Sequence, residues 1–196
     1  MPFNQPTATP RAVAAMQAGA RQHAKGEAPK EAMDVVEPLP NTGISKMLGL
    51  CEILDDRGGR EDGYRLAQDL GMPFAEVLLA IKGAEMLGLI DTPAGDAVLT
   101  PLGKRCLEVP MNEKKALLKE QMKRLRVFQH IIRQLQRAPE QELDAEVILE
   151  EISLLLPLEQ PRAMFSTLIN WGRYGEILGY SRDSDKVYLQ VPSVQQ

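Results

Sequence analysis

Two segments ninety-one residues apart, Glu85-Met86-Leu87-Gly88-Leu89 and Glu176-Ile177-Leu178-Gly179-Tyr180, constrain this chain most. Each follows an apolar periodicity of helical type. Each precedes a strand-like triplet, Ala97-Val98-Leu99 in the first copy and Val187-Tyr188-Leu189 in the second. In both copies the spacing predicts a helix that ends on Leu-Gly, where glycine takes the left-handed cap without steric cost. A chain that repeats a third helix, a glycine stop and a strand places two similar units in series.

The elements ahead of these stops repeat as well. Ile44, Met47, Leu48, Cys51, Ile53 and Leu54 recur at helical spacing. Asp55-Asp56-Arg57-Gly58-Gly59-Arg60 then breaks the helix, because paired glycines are poor in a helix interior. Residues 61–70 form a short helix that Gly71 caps, and Pro73 opens a third with the stripe Phe74, Val77, Leu78, Ile81, Ala84 and Leu87. Pro93-Ala94-Gly95-Asp96 turns a hairpin, and Thr100-Pro101 starts another helix with an N-cap threonine. In the second half one long helix is expected over 112–138. A second runs over 143–156, a third over 159–175, and a strand pair lies within 180–191.

Three helices followed by a hairpin is the order of a winged helix. The expected fold is therefore mainly α with small β-hairpins (α+β), as tandem winged-helix domains over 41–109 and 110–196. Residues 1–40 hold six prolines and few large apolar side chains, and read as a disordered leader or linker. A short alanine-rich helix could form within it over 12–25.

Composition narrows the function. No stretch free of Asp, Glu, Lys and Arg exceeds ten residues. A membrane-spanning helix needs about 20 apolar residues, so no membrane insertion is expected. The first residues show no secretory signal pattern. Two cysteines and two histidines are too few for a disulfide framework or most metal sites, which points to a cytoplasmic protein without cofactor or metal. No nucleophile stands beside a base in any recognisable motif, and no Gly-x-x-x-x-Gly-Lys-Ser/Thr occurs. No catalytic residue is assigned.

One set of segments stands out: Leu48-Gly49-Leu50-Cys51-Glu52-Ile53-Leu54, Asp55-Asp56-Arg57-Gly58-Gly59-Arg60, Arg65-Leu66-Ala67, Leu99-Thr100-Pro101-Leu102-Gly103 and Asn170-Trp171-Gly172-Arg173-Tyr174. Together they resemble the AAA-associated domain found C-terminal to ATP-binding subunits of nitrate/sulfonate/bicarbonate-type ABC importers. The resemblance covers residues 38–189. Gly63 and Gly175 depart from it, standing where a larger side chain and an alanine are expected. The resemblance implies an interaction or regulatory module, whose partner is an ABC transporter ATP-binding subunit or a second copy of itself.

Three groups of residues are candidates for partner contact. Arg57 and Arg60 flank Gly58-Gly59 and suit an anion, although neighbouring carboxylates compete for them. Lys115, Lys119, Lys123 and Arg126 make one stripe if 112–138 is a single helix. They belong to a segment, 104–137, with ten basic and three acidic residues, followed by 138–160 with seven acidic residues and no basic one. The stripe is either a docking face or the solvated complement of that acidic segment. Trp171, Arg173 and Tyr174 suit an interface anchor, or the first and last form the core of the second unit. The alternative reading is a winged-helix DNA-binding regulator. The third helices lack the basic stripe that phosphate contact needs, so charge argues against nucleic acid.

Overall fold

The computed structural model describes residues 36–190. Its first half runs α1 (Ile44–Asp56), β1 (Arg60–Asp62), α2 (Gly63–Leu70), α3 (Phe74–Met86), β2 (Ile90–Asp91) and β3 (Asp96–Leu99). Two linking helices follow, α4 (Pro101–Glu108) and α5 (Met111–Met122). The second half runs α6 (Arg126–Arg137), β4 (Glu142–Asp144), α7 (Ala145–Leu155), α8 (Pro161–Tyr174), β5 (Leu178–Ser181) and β6 (Lys186–Leu189). The described residues are thus mainly helical with two small antiparallel sheets, ordered β1-β3-β2 and β4-β6-β5. Each sheet has a third strand that the expected hairpin lacked. Arg60-Glu61-Asp62 and Glu142-Leu143-Asp144 are three residues long and mostly polar, so no alternation marks them.

Both halves run helix-strand-helix-helix-strand-strand, but the helix stops align differently from the sequence match. Gly88 takes φ +69°, and the Leu89 N–H closes the turn on the Ala84 carbonyl at 2.8 Å. In the second half the left-handed residue is Glu176, at φ +53°, and the Ile177 N–H closes on Gly172 at 2.8 Å. The equivalence therefore runs Gly88 to Glu176, not Gly88 to Gly179. Gly179 lies inside β5 opposite Tyr188, where an added Cβ would stand 2.2 Å from the ring. That glycine seats an aromatic side chain and caps nothing.

The expected helix over 112–138 is two helices. Lys123–Leu125 interrupts it, and Leu125 is extended at φ −70°, ψ 131°. Phase explains the break in the absence of glycine or proline. α5 buries Leu118 and Met122, while α6 buries Val127, Phe128, Ile131 and Leu135. Leu118 and Val127 are nine residues apart, half a turn out of phase at 3.6 residues per turn. A straight helix could bury one set or the other.

One cluster of buried side chains runs through both halves, from Leu39 and Met47 to Leu168 and Val187. Leu39, assigned by the sequence to the leader, is 4% exposed and belongs to this core. The rest of the leader up to Val35, with its expected short helix, lies outside the described residues. The two glycine departures are filled from the side: Ile81 Cδ1 covers Gly63, and Met122 Sδ stands 2.9 Å from where a Gly175 Cβ would be.

Candidate interaction surface

Arg57 and Arg60 are both held internally. Arg57 reaches Asp69 at 2.6 Å and Glu61 at 3.6 Å. The Asp69 hydrogen bond, ahead of its charge, holds the guanidinium pKa above its usual value. Arg60 grips Asp96 with two nitrogens, at 2.7 and 2.6 Å, across the β1–β3 pair. Gly58 and Gly59 take φ +82° and +86° and deliver the chain into β1. Asp62 is not a competitor for the arginines, because its carboxylate accepts from the Tyr64 and Arg65 N–H groups and caps α2. The loop is a turn locked by ion pairs, two of whose carboxylates lie outside it.

The four-residue basic stripe is divided by the break between α5 and α6, which separates Arg126 from the rest. Lys115 pairs with the Glu176 carboxylate at 2.8 Å, and Lys119 donates to the Glu176 carbonyl at 2.8 Å. The Lys115 hydrogen bond lowers the Glu176 pKa, and the lysine's own pKa rises in turn. These two lysines therefore pin the left-handed turn after α8. Lys123 pairs with Glu120 at 2.9 Å on its own helix. Between the basic and acidic segments, His130 Nε2 lies 2.6 Å from the Glu151 carboxylate, tying α6 to α7. Sequence spacing could not bring that pair together across twenty-one residues.

Trp171 is fully buried, and its indole N–H donates to the Thr42 carbonyl at 2.8 Å. It is a core residue joining α8 to the entrance of α1. Tyr174 is half-buried, with its hydroxyl 3.7 Å from Met111 Sδ, and burial pushes its pKa up. Arg173 is exposed and forms no ion pair among the described residues. Both cysteines are buried. Burial, ahead of the neighbouring Cys106, pushes the Cys51 thiol up to about 12, and Cys106 is raised by burial as well. Such thiols stay protonated and act as small apolar side chains.

The surface that sequence reading missed is a groove of about 760 Å³. It lies between α3, the start of α8 and the extended segment 37–41. Its apolar contributors come from three separate stretches, so no single window reveals it. The one local signal was Leu158, which follows Pro157 and is 97% exposed. No described helix is long and apolar enough to cross a membrane.

With this arrangement in view, comparison with known proteins identifies the class. The family model of the C-terminal AAA-associated domain matches residues 64–181, and the chain belongs to that family. The matched span holds Arg65-Leu66-Ala67, the Thr100-Pro101-Leu102-Gly103 start of α4 and the Trp171-Gly172-Arg173-Tyr174 end of α8, and begins after Gly58-Gly59. No curated protein and no solved structure matches.

Proposed function

We propose that this chain is a noncatalytic interaction and regulatory module of an ABC-type importer ATPase, of the nitrate/sulfonate/bicarbonate-like class, working in the cytoplasm. The family match over 64–181 carries the reading, since that family is associated with AAA-type ATPases. No Gly-x-x-x-x-Gly-Lys-Ser/Thr occurs in these 196 residues, and on this reading nucleotide chemistry belongs to the partner. The two halves are winged-helix units in series, a reading supported by their shared helix-strand-helix-helix-strand-strand order and by the central place of the last strand in each sheet.

The DNA-binding alternative needs an exposed, basic third helix. The exposed positions of α3 are Phe74, Ala75, Glu76, Leu78, Lys82 and Glu85, with one cation against two carboxylates. In α8 only Arg162, Ser166, Asn170 and Arg173 are exposed, because Trp171 and its neighbours are packed in the core. With one cation against two carboxylates on α3 and two cations on α8, neither helix carries the basic stripe that phosphate neutralisation needs.

Crosslinking of the tagged chain in its native cells, followed by mass spectrometry, tests the reading. The expected product is a conjugate with an ATP-binding subunit that carries Gly-x-x-x-x-Gly-Lys-Ser/Thr. A parallel titration with a random DNA duplex at about 150 mM salt tests the alternative. Salt-sensitive binding tighter than about 10⁻⁶ M would favour the DNA-binding reading.

A further inference from the structure

The groove between α3 and α8 has a floor, a lip and a charged rim. On the floor, Leu39 and Met164 are each 4% exposed, and Leu79, Met86 and Ala163 are half-buried. Leu158 stands at the lip, almost fully solvated. A large apolar side chain held in water beside an apolar floor is surface that a partner removes from solvent. The rim carries Glu37, Glu85 and Glu159 against the single cation Lys82, all exposed. Among the described residues Glu37, Lys82 and Glu159 form no ion pair, and the Glu85 carboxylate accepts only from the Thr92 hydroxyl. The rim is therefore net negative and its charges are available.

We propose that this groove docks an amphipathic helix of a protein partner, with apolar side chains on one face and lysine or arginine flanking them. The inference rests on the partner-binding reading above and locates its site. Three features select a helix with basic flanks. The walls include two helices and no sheet strand, and in the extended segment 37–41 Pro38 and Pro40 lack the N–H groups that an added strand would pair with. A cleft between helices accepts anchors at i, i+3, i+4 and i+7. Met86 and Met164 supply unbranched, adaptable packing for a row of leucines, while the rim carboxylates complement cationic flanks and select against acidic ones.

A fluorescein-labelled 18-residue leucine/lysine peptide with this spacing is the probe, titrated by anisotropy against the full chain. Its controls are a scrambled peptide of the same composition and a leucine/glutamate peptide of the same pattern. Saturable binding is expected, at least tenfold tighter than for either control and weakened by salt. Leu158→Asp lowers it tenfold or more without moving the melting temperature, because that side chain is solvated in the free protein. Leu154→Asp, at a leucine 79% exposed but outside the groove, leaves it unchanged. Equal binding of the scrambled or acidic peptide, or an unaffected Leu158→Asp variant, overturns the proposal. Self-association of the wild type that Leu158→Asp abolishes also overturns it, and assigns the groove to a second copy. Crosslinking to an ATPase without peptide binding removes the groove alone, whereas peptide binding without an ATPase conjugate removes the partner reading alone.

Discussion

Glycines at two helical positions show how one hydrogen-to-methyl change takes opposite signs. Gly49 lies inside α1 with open space around its missing Cβ, whereas a Cβ on Gly103 would meet the Leu89 carbonyl oxygen at 2.2 Å. Gly49→Ala is expected to stabilise by about 0.5–1 kcal/mol through helix propensity. Gly103→Ala is expected to destabilise by about 1–3 kcal/mol, because backbone cannot move aside cheaply. Thermal melts of the two variants check the contrast. Thr100 explains why α4 approaches so closely: its hydroxyl donates to the Gly88 carbonyl at 2.7 Å and accepts from the Gly103 N–H at 2.9 Å. The Thr-Pro-Leu-Gly run was legible in the sequence as a helix start. Its second task, clamping α4 on the end of α3, depends on a contact no local pattern encodes. Trp171→Phe is expected to lower the melting temperature by several degrees. It removes the only indole of the chain and leaves the Thr42 carbonyl without that donor, an omission worth about 1–3 kcal/mol.

Among the helices, α5 and α6 were the ones the sequence concealed. Apolar residues recur through both, and neither glycine nor proline separates them. The break shows only in the half-turn phase slip between Leu118 and Val127, which a periodicity match over a long window averages away. Its consequence is that Lys115 and Lys119 serve the turn after α8 through Glu176. This pairing makes a pH prediction. The Glu176 pKa is lowered in the folded protein below its ordinary value of 4.5, chiefly by the Lys115 hydrogen bond. Its contribution is therefore present above the unfolded value and lost as pH falls through the folded one. Glu176→Gln is expected to be less stable than wild type at pH 7, with the gap between the two denaturation midpoints narrowing as pH falls below 4.5. A difference that persists unchanged at pH 3 would show that the carboxylate charge is irrelevant. Since the pair is exposed, the effect at neutral pH is small.

At the scale of the molecule, the element order of both halves was legible in the sequence, apart from the two short strands β1 and β4 and the break between α5 and α6. The groove and the Trp171–Thr42 link were not, since each joins residues far apart in the chain. Because buried side chains run continuously from one half to the other, Trp171 fluorescence and far-UV circular dichroism are expected to report one coincident urea transition. Two separated transitions would mean that the halves 41–109 and 110–196 fold independently. The central proposal is that this family member works by holding an ATPase partner and leaves nucleotide chemistry to it. Isothermal titration of the full chain with the purified ATP-binding subunit recovered by crosslinking tests it most directly. The account predicts saturable one-to-one heat with the subunit and none with ATP alone. Heat with ATP alone, or no heat with the subunit at tens of micromolar, would contradict it.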